Sequence, residues 1–295
     1  MKKHETTTDF TTGSIPRHLI KFSIPLFLGN LLQALYNTVD TIWVGKFLGQ
    51  DALAAVSVSF PLIFVLISLS IGITIATTVL VGQYKGAEDS PMIKKTIDTS
   101  MFLLSALAVI MTIAGILLHM PILKLMNTHE SIIDMAAGYM NIIFLGMIFT
   151  FGYNVIGAVL RGLGDSRTPL LFLLYTTVIN VILDPILIFG LGPFPKMGVE
   201  GAALATIIAQ AISLVLAIRH LNKTEHVFSI SFRDMSFDAE LSRKIIKIGL
   251  PAGLQQAVVA LGSTVVMSIV NTFGPSVVAA FGAAQKIDNF SFMPA

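Results

Sequence analysis

Long apolar segments occupy most of this chain and constrain its fold more than any other feature. A helix needs about 20 residues to cross a bilayer, and seven segments reach that length before an eighth begins near residue 277. Only 12% of the residues are charged, whereas a soluble domain carries about 25%. We therefore predict an all-α polytopic membrane protein. The predicted spans are 20–44, 53–82, 97–118, 132–160, 170–191, 199–218 and 244–273.

Lys and Arg residues are distributed unevenly between the two ends of these spans. If the N-terminus is cytoplasmic, fifteen of them lie inside, and only Lys46, Lys124 and Lys196 lie outside. Cytoplasmic loops are enriched in positive residues, so we expect a multi-pass protein of the plasma membrane (the inner membrane of a bacterium) with its N-terminus in the cytoplasm. The polar N-terminus lacks the features of a cleavable signal peptide. The chain has no Cys, which excludes thiolate metal sites.

An internal repeat indicates how the spans are organised. Residues 17–25 resemble residues 243–251, and residues 49–55 resemble residues 274–280. Six predicted spans separate the copies, so both copies enter the membrane from the same side, as in transporters built from parallel repeats. The sequence predicts a six-helix lobe over 1–219, a cytoplasmic linker over 220–242 and the first one to two helices of a second lobe over 243–295. Because the chain stops within an apolar run, we expect it to be a truncated form of a two-lobe protein.

A carboxylate, Asp40, lies inside the first predicted span. Asn30, Gln33, Asn37 and Asp40 are spaced by three or four residues, so they form one polar stripe on a helix. An ionisable side chain in hydrocarbon costs about 2.5–3.5 kcal/mol on insertion scales and is a functional-site candidate. Interhelical hydrogen bonding is the alternative role for such residues. We expect the stripe to face other helices or water, with Gln33 and Asn37 in a substrate cavity.

The fifth predicted span carries a second acid, Asp184, one turn after Asn180. At about 1.5 Å per residue, Asp40 and Asp184 lie at similar depth in the outer half of the membrane. Tyr139 and Thr206, on the fourth and sixth spans, are predicted at the same depth. Asn154 lies deeper on the fourth span, where we expect it to form the floor of the same cavity.

Two carboxylates that are close together in a low-dielectric interior do not both ionise readily. Such a pair can hold a proton, or it can hold Na⁺ together with neutral oxygen ligands. The Na⁺ ligands would be Asp40, Asn180, Asp184 and Thr206. In the alternative reading, the two acids are buried separately without an ion. Neither Asp has the Gly-rich surroundings of an intramembrane aspartyl protease, so we do not expect an enzyme.

Several separated motifs resemble those of the multidrug and toxic compound extrusion (MATE) transporters, in particular the prokaryotic DinF-like branch. They are Pro25, YNTVDTIWVG at 36–45, AVLRGLGDSRTP at 158–169, NVILDP at 180–185 and GVEGAALAT at 198–206. The resemblance implies a MATE-like six-helix lobe plus the start of a second one. It also implies a cation or proton site formed by Asp40, Asp184, Asn180, Tyr139 and Thr206, and a first helix that bends near Pro25.

The expected function is secondary active multidrug efflux, in which amphipathic or cationic organic compounds are exported in exchange for H⁺ or Na⁺ by alternating access. We expect small-molecule drugs and membrane lipid as partners, no nucleic acid, no cofactor beyond the coupling ion, and a monomer. A lipid or lipid-linked oligosaccharide flippase of the same superfold is the alternative, but it needs basic residues in its cavity. Arg161 and Arg167 instead appear at the inner membrane surface, where they are interpreted as headgroup anchors. A fragment that does not transport at all is a third alternative.

Overall fold

The computed structural model describes residues 13–223, 236–271 and 284, and within these ranges the chain forms helices and no strand. This confirms the all-α prediction. The helices are α1 (Ile15–Ile42), which continues into a π-helical segment (Trp43–Leu48), α2 (Gln50–Gly86), α3 (Ser90–Leu125), α4 (Glu130–Leu145), α5 (Met147–Gly162), α6 (Arg167–Phe189), α7 (Val199–Lys223) and α8 (Ala239–Asn271).

Six helical segments in the described part of the chain are long and apolar enough to cross a membrane, namely α1 with its π-helical extension, α2, α3, α6, α7 and α8. Taken together, α4 and α5 are also long and apolar enough to cross a membrane, with a bend of 50° between them. The prediction of one continuous helix over 132–160 is therefore wrong at Gly146, where α4 ends. Of the predicted eighth helix, only residue 284 lies within the described residues.

Helix α2 is the centre of the packing, since it contacts α3, α4, α5 and α8. On the other side of the bundle, α1 packs along α6, and α6 packs along α7. Large apolar side chains such as Leu104, Met140, Phe144 and Phe151 are almost fully buried between α3, α4 and α5. This arrangement places α1, α6 and α7 side by side, and these three helices carry most of the predicted site.

Helix α8, the predicted start of the second lobe, is held against α2 by a very close backbone contact. A Cβ atom added to Gly72 would collide with the carbonyl oxygen of Gly249. Small residues allow membrane helices to approach in this way. Ahead of α8, Asp238 accepts the backbone N–H groups of Leu241 and Glu240, and these bonds hold the pKa of Asp238 below its ordinary value. The predicted linker 220–242 thus includes the last turn of α7 and the first turn of α8.

Candidate cation-binding site

Asp40 and Asp184 are brought together by the packing of α1 along α6. Their carboxyl groups lie close enough to interact electrostatically with each other. Asp184 is completely buried, and Asp40 is half-buried. Asp40 lies just before the π-helical segment, a form of helix that often occurs at functional sites. The two acids that the sequence singled out therefore form one pair and are not buried separately.

Asn180 and Thr206 connect this pair to α7. The Nδ2 group of Asn180 donates to Asp184 Oδ1 at 3.2 Å and to Thr206 Oγ1 at 3.3 Å. Thr206 can reach Asn180 because α6 and α7 approach closely around Gly201, where an added Cβ atom would lie 2.7 Å from the carbonyl group of Leu187. The amide of Asn180 thus fixes the orientation of the buried carboxyl group of Asp184.

Tyr36 also belongs to the site, although the sequence reasoning missed it. Its hydroxyl group shares a hydrogen bond with Thr206 Oγ1 at 3.1 Å, and its side chain is only 8% exposed. Tyr36 precedes Asp40 by four residues, so both side chains lie on the same face of α1. The four-residue spacing from Asp40 was the signal for Tyr36 in the sequence. It was missed because a Tyr in an apolar helix is usually interpreted as a packing residue.

Three oxygen atoms in this cluster accept no hydrogen bond from the described part of the protein. They are Asp40 Oδ1, Asn180 Oδ1 and Asp184 Oδ2, and each is buried. Buried acceptors normally have a donor, so these three oxygens need a partner that is positively charged or carries a proton. A proton between the two carboxyl groups supplies one donor, and a hard cation is bound by carboxylate, amide and hydroxyl oxygens. The residues therefore fit either a proton or Na⁺.

Tyr139 lies beside the acidic pair, as its predicted depth required. It and Asp40 line a cavity of about 290 Å³, which we call the outer cavity. Tyr139 is also close enough to Asp40 and Asp184 to interact electrostatically with both. The outer cavity is lined by Asp40, Thr41, Val44, Leu53, Val56, Ser57, Phe60 and Tyr139.

Asn154 does not form the floor of the outer cavity, so that expectation is wrong. It lines a separate cavity of about 210 Å³ between α1, α5 and α6, which we call the inner cavity. The bend at Gly146 separates α5, which carries Asn154, from α4, which carries Tyr139. The polar side chains of the inner cavity are Asn30, Gln33, Tyr153, Asn154, Arg161 and Ser166.

The polar stripe of α1 connects the two cavities. Gln33 lines the inner cavity and donates from Nε2 to Asn37 Oδ1 at 3.3 Å, one turn closer to Asp40. Asn30, Gln33 and Asn37 are all exposed, so the stripe follows an open surface. Pro25 is buried against the inner cavity, and α1 continues through it as one helix. The proposed bending at Pro25 stays a prediction.

The loop between α5 and α6, residues 163–166, is held in place by hydrogen bonds. Asp165 is fully buried and accepts the backbone N–H groups of Arg167 and Thr168, each at 3.0 Å. Lys85 donates to the carbonyl oxygen of Leu163. Arg167 is exposed, but Arg161 lines the inner cavity, unlike the headgroup anchor expected from the sequence.

Comparisons with known proteins agree with this architecture. The MatE family profile matches residues 25–186. Probable multidrug resistance protein YpnP of Bacillus subtilis is 38% identical over 97% of this chain and 63% of its own length. A FAD transporter of Shewanella oneidensis is 29% identical over 94% of this chain and 61% of its own length. An outward-facing multidrug resistance MATE family transporter of the MOP superfamily superposes with a TM-score of 0.87 at 29% identity, covering 98% of this chain and 64% of that structure.

The chain is thus similar to these relatives along almost its whole length, and it spans less than two thirds of theirs.

Proposed function

Since the chain belongs to the MatE family, we propose that it forms the first lobe, and the beginning of the second, of a cation-coupled exporter of amphipathic organic compounds. The relatives named as multidrug resistance proteins support export as the activity. The exporter would lie in the plasma membrane with a cytoplasmic N-terminus, and the positive charge bias of its predicted inner loops supports this orientation. We expect it to work as a monomer and to catalyse no covalent step.

The observation that carries the proposal is the buried pair of Asp40 and Asp184 with its unmatched oxygens. Two neighbouring carboxylates in a low-dielectric site repel each other, so neutralising one of them stabilises the pair. A bound proton or Na⁺ supplies this positive charge. Asn180 holds Asp184 in position for it, Thr206 accepts a hydrogen bond from Asn180, and Tyr36 shares a hydrogen bond with Thr206. Tyr139 borders the outer cavity, through which an ion can reach Asp40.

Ion binding becomes coupled to export if the charged and neutral forms of the pair favour different arrangements of α1. Asp40 is part of α1, and α1 also lines the inner cavity through Pro25 and Gln33. A change in the packing of α1 against α6 therefore alters the lining of both cavities. By linkage, substrate binding must oppose ion binding to the same degree that ion binding opposes substrate binding.

The test is dye export by the full-length two-lobe protein in everted membrane vesicles. A pH gradient and a Na⁺ gradient are imposed separately, and uptake of a fluorescent cationic dye is measured. We expect one gradient to drive uptake, and we expect Asp40→Asn or Asp184→Asn to abolish it. Asp51→Asn is the matched control, because Asp51 is an exposed acid in the first turn of α2. If both site variants still transported at the control rate, the pair would have no role in coupling.

A lipid or lipid-linked oligosaccharide flippase is the second candidate, and one observation favours it. Such a protein needs a basic residue in its cavity, and Arg161 lines the inner cavity. The relative named as a FAD transporter also points to phosphate-bearing substrates among similar proteins. The two candidates separate in proteoliposomes that contain a fluorescent phospholipid. Lipid movement between leaflets without a gradient supports the flippase, whereas dye movement that requires a gradient supports the exporter.

A further inference from the structure

Arg161 gives the inner cavity a positive charge at the end opposite to the acidic pair. The guanidinium group is half-buried at the C-terminal end of α5, and the other polar groups of this cavity are neutral amides and hydroxyls. Among the residues that the structure describes, no carboxylate lines this cavity. The inner cavity is therefore electrostatically opposite to the outer one, where Asp40 supplies the charge.

Within the described residues, no acid is paired with Arg161. The ion pairs found there are Lys94–Asp98, Lys95–Asp238 and Lys244–Glu240. Asp165 is the nearest acid along the chain, but both of its carboxylate oxygens are engaged. One accepts the backbone N–H groups of Arg167 and Thr168, and the other accepts the Thr168 hydroxyl group. The charge of Arg161 is thus available to a molecule that enters the cavity.

Arg161 and Asn154 are accessible from more than one direction. Together they also line a neighbouring cavity of about 360 Å³, whose other walls come from Thr74, Thr78 and apolar residues of α2. A planar guanidinium group donates two parallel hydrogen bonds to a carboxylate or phosphate, and the amides of Asn154 and Gln33 add further donors. The apolar residues around them, such as Leu26 and Leu173, suit the hydrocarbon part of an amphipathic molecule.

We propose that the inner cavity binds amphipathic molecules that carry an anionic group, a carboxylate or a phosphate, and that Arg161 is the residue that recognises this group. The proposal rests on the proposed function, because it names the substrate class of the same exporter. It makes zwitterionic and anionic amphipaths better ligands than cations of the same shape. Asn154 and Gln33 orient the anionic group, and the acidic pair on the outer side remains free for the coupling ion.

The test uses two dyes that differ only in one group. Rhodamine B has a free carboxylate, and in its ethyl ester this carboxylate is masked. Their binding to the detergent-solubilised protein is measured by equilibrium dialysis. Because hydrogen bonds to charged groups contribute about 1.5–3 kcal/mol, we expect Arg161→Gln to weaken rhodamine B binding by about tenfold or more and to leave ester binding unchanged. Arg161→Lys keeps the charge, so its affinity for rhodamine B should lie between that of the unchanged protein and that of Arg161→Gln.

Arg167→Gln is the matched control, since Arg167 belongs to the same loop but is exposed and lines neither cavity. It should bind both dyes as the unchanged protein does. Retained binding of the ester shows that Arg161→Gln is folded. An equal loss of both dyes, or no loss of either, would overturn the proposal, because the arginine would then be structural or irrelevant to binding.

Competition identifies the source of the anionic group. Short-chain phosphatidylglycerol that displaces rhodamine B from the unchanged protein, when a diacylglycerol of the same chain length does not, identifies a lipid headgroup phosphate as the ligand. Rhodamine B binding that resists phosphatidylglycerol identifies a carboxylate-bearing solute. The experiment requires no ion gradient, so it also separates the two proposals. Arg161-dependent binding without gradient-driven export would refute only the antiport mechanism.

Discussion

The outer and inner cavities lie against the same helix, α1, yet their chemistry is opposite. The outer cavity contains Asp40, whose partner Asp184 is buried behind it, and this pair has more acceptors than donors. The inner cavity contains Arg161 and side-chain amides, and no acid from the described part of the chain lines it. From Gln33 to Asp40 the distance along α1 is only about 10 Å, at 1.5 Å per residue. One helix can therefore serve an ion site and a substrate site without mixing their charges.

The two cavities also differ in how their polar groups are held. In the outer site, Asn180 and Thr206 are positioned by the close contact of α6 with α7 at Gly201. In the inner site, Arg161 is followed directly by a loop whose conformation depends on hydrogen bonds to Asp165. The outer site thus depends on helix packing, and the inner site depends on a capped loop. Substitutions can separate these two forms of support.

The largest effect is expected when either acid of the outer site is neutralised. Asp40→Asn and Asp184→Asn should each reduce gradient-driven export by about 100-fold or more, and the double variant should be no worse than either single one. Groups in direct contact that act as one unit are not additive. The measurement is the initial rate of dye uptake into everted vesicles under the effective gradient. Losses that multiply in the double variant would show two independent acids, and the outer cavity would then contain no coupled pair.

The second largest effect is expected from a substitution that disturbs the helix packing behind the outer site. Gly201→Ala should destabilise the protein by about 1–3 kcal/mol, as overpacking of a tight contact does, because the added Cβ atom meets the carbonyl group of Leu187 at 2.7 Å. Thermal unfolding in detergent measures this change. Gly262→Ala is the control, since that position on α8 has open space around it. Equal unfolding temperatures for both variants would mean that α6 and α7 tolerate a wider separation.

The sequence predicted the helices well because hydrophobic length is a strong signal in membranes. It also placed Asp40 and Asp184 at similar depth, from the rise of about 1.5 Å per residue, and left open whether they form a pair or are buried separately. The bend at Gly146 was not predicted, because the residues on both sides are equally apolar and hydropathy does not distinguish one helix from two. That error placed Asn154 in the wrong cavity.

Arg161 shows a second limit of the sequence. Its position at the inner end of an apolar span predicts a headgroup anchor, and Arg167 satisfies that description. Whether an arginine points to lipid or into a cavity depends on the direction in which its helix leaves the bend. The packing of α5 against α7 and α2 fixes that direction, and no local pattern encodes it. Tyr36 was missed for a related reason, because its partner Thr206 is 170 residues away.

A smaller effect should separate the inner cavity from the outer one. Asp165→Ala removes the acceptor for the N–H groups of Arg167 and Thr168, and losing such a cap costs about 0.5–2 kcal/mol. We expect a lower unfolding temperature and weaker binding of rhodamine B, with the ion concentration for half-maximal export unchanged. Asp89→Ala is the matched control, because Asp89 caps α3 away from both cavities. A change in ion dependence in Asp165→Ala alone would show that the two sites are not separately supported.

The smallest effect is expected from the hydroxyl group of Tyr36. Tyr36→Phe removes its hydrogen bond to Thr206 but keeps the ring, and a neutral hydrogen bond contributes about 0.5–1.5 kcal/mol. The ion concentration for half-maximal export should therefore rise by a few fold, while rhodamine B binding in the inner cavity stays the same. Tyr175→Phe is the control, since Tyr175 lies on α6 with 46% of its surface exposed. If Tyr36→Phe instead weakened rhodamine B binding and left ion dependence unchanged, Tyr36 would serve the substrate, and the division of α1 into an ion end and a substrate end would be wrong.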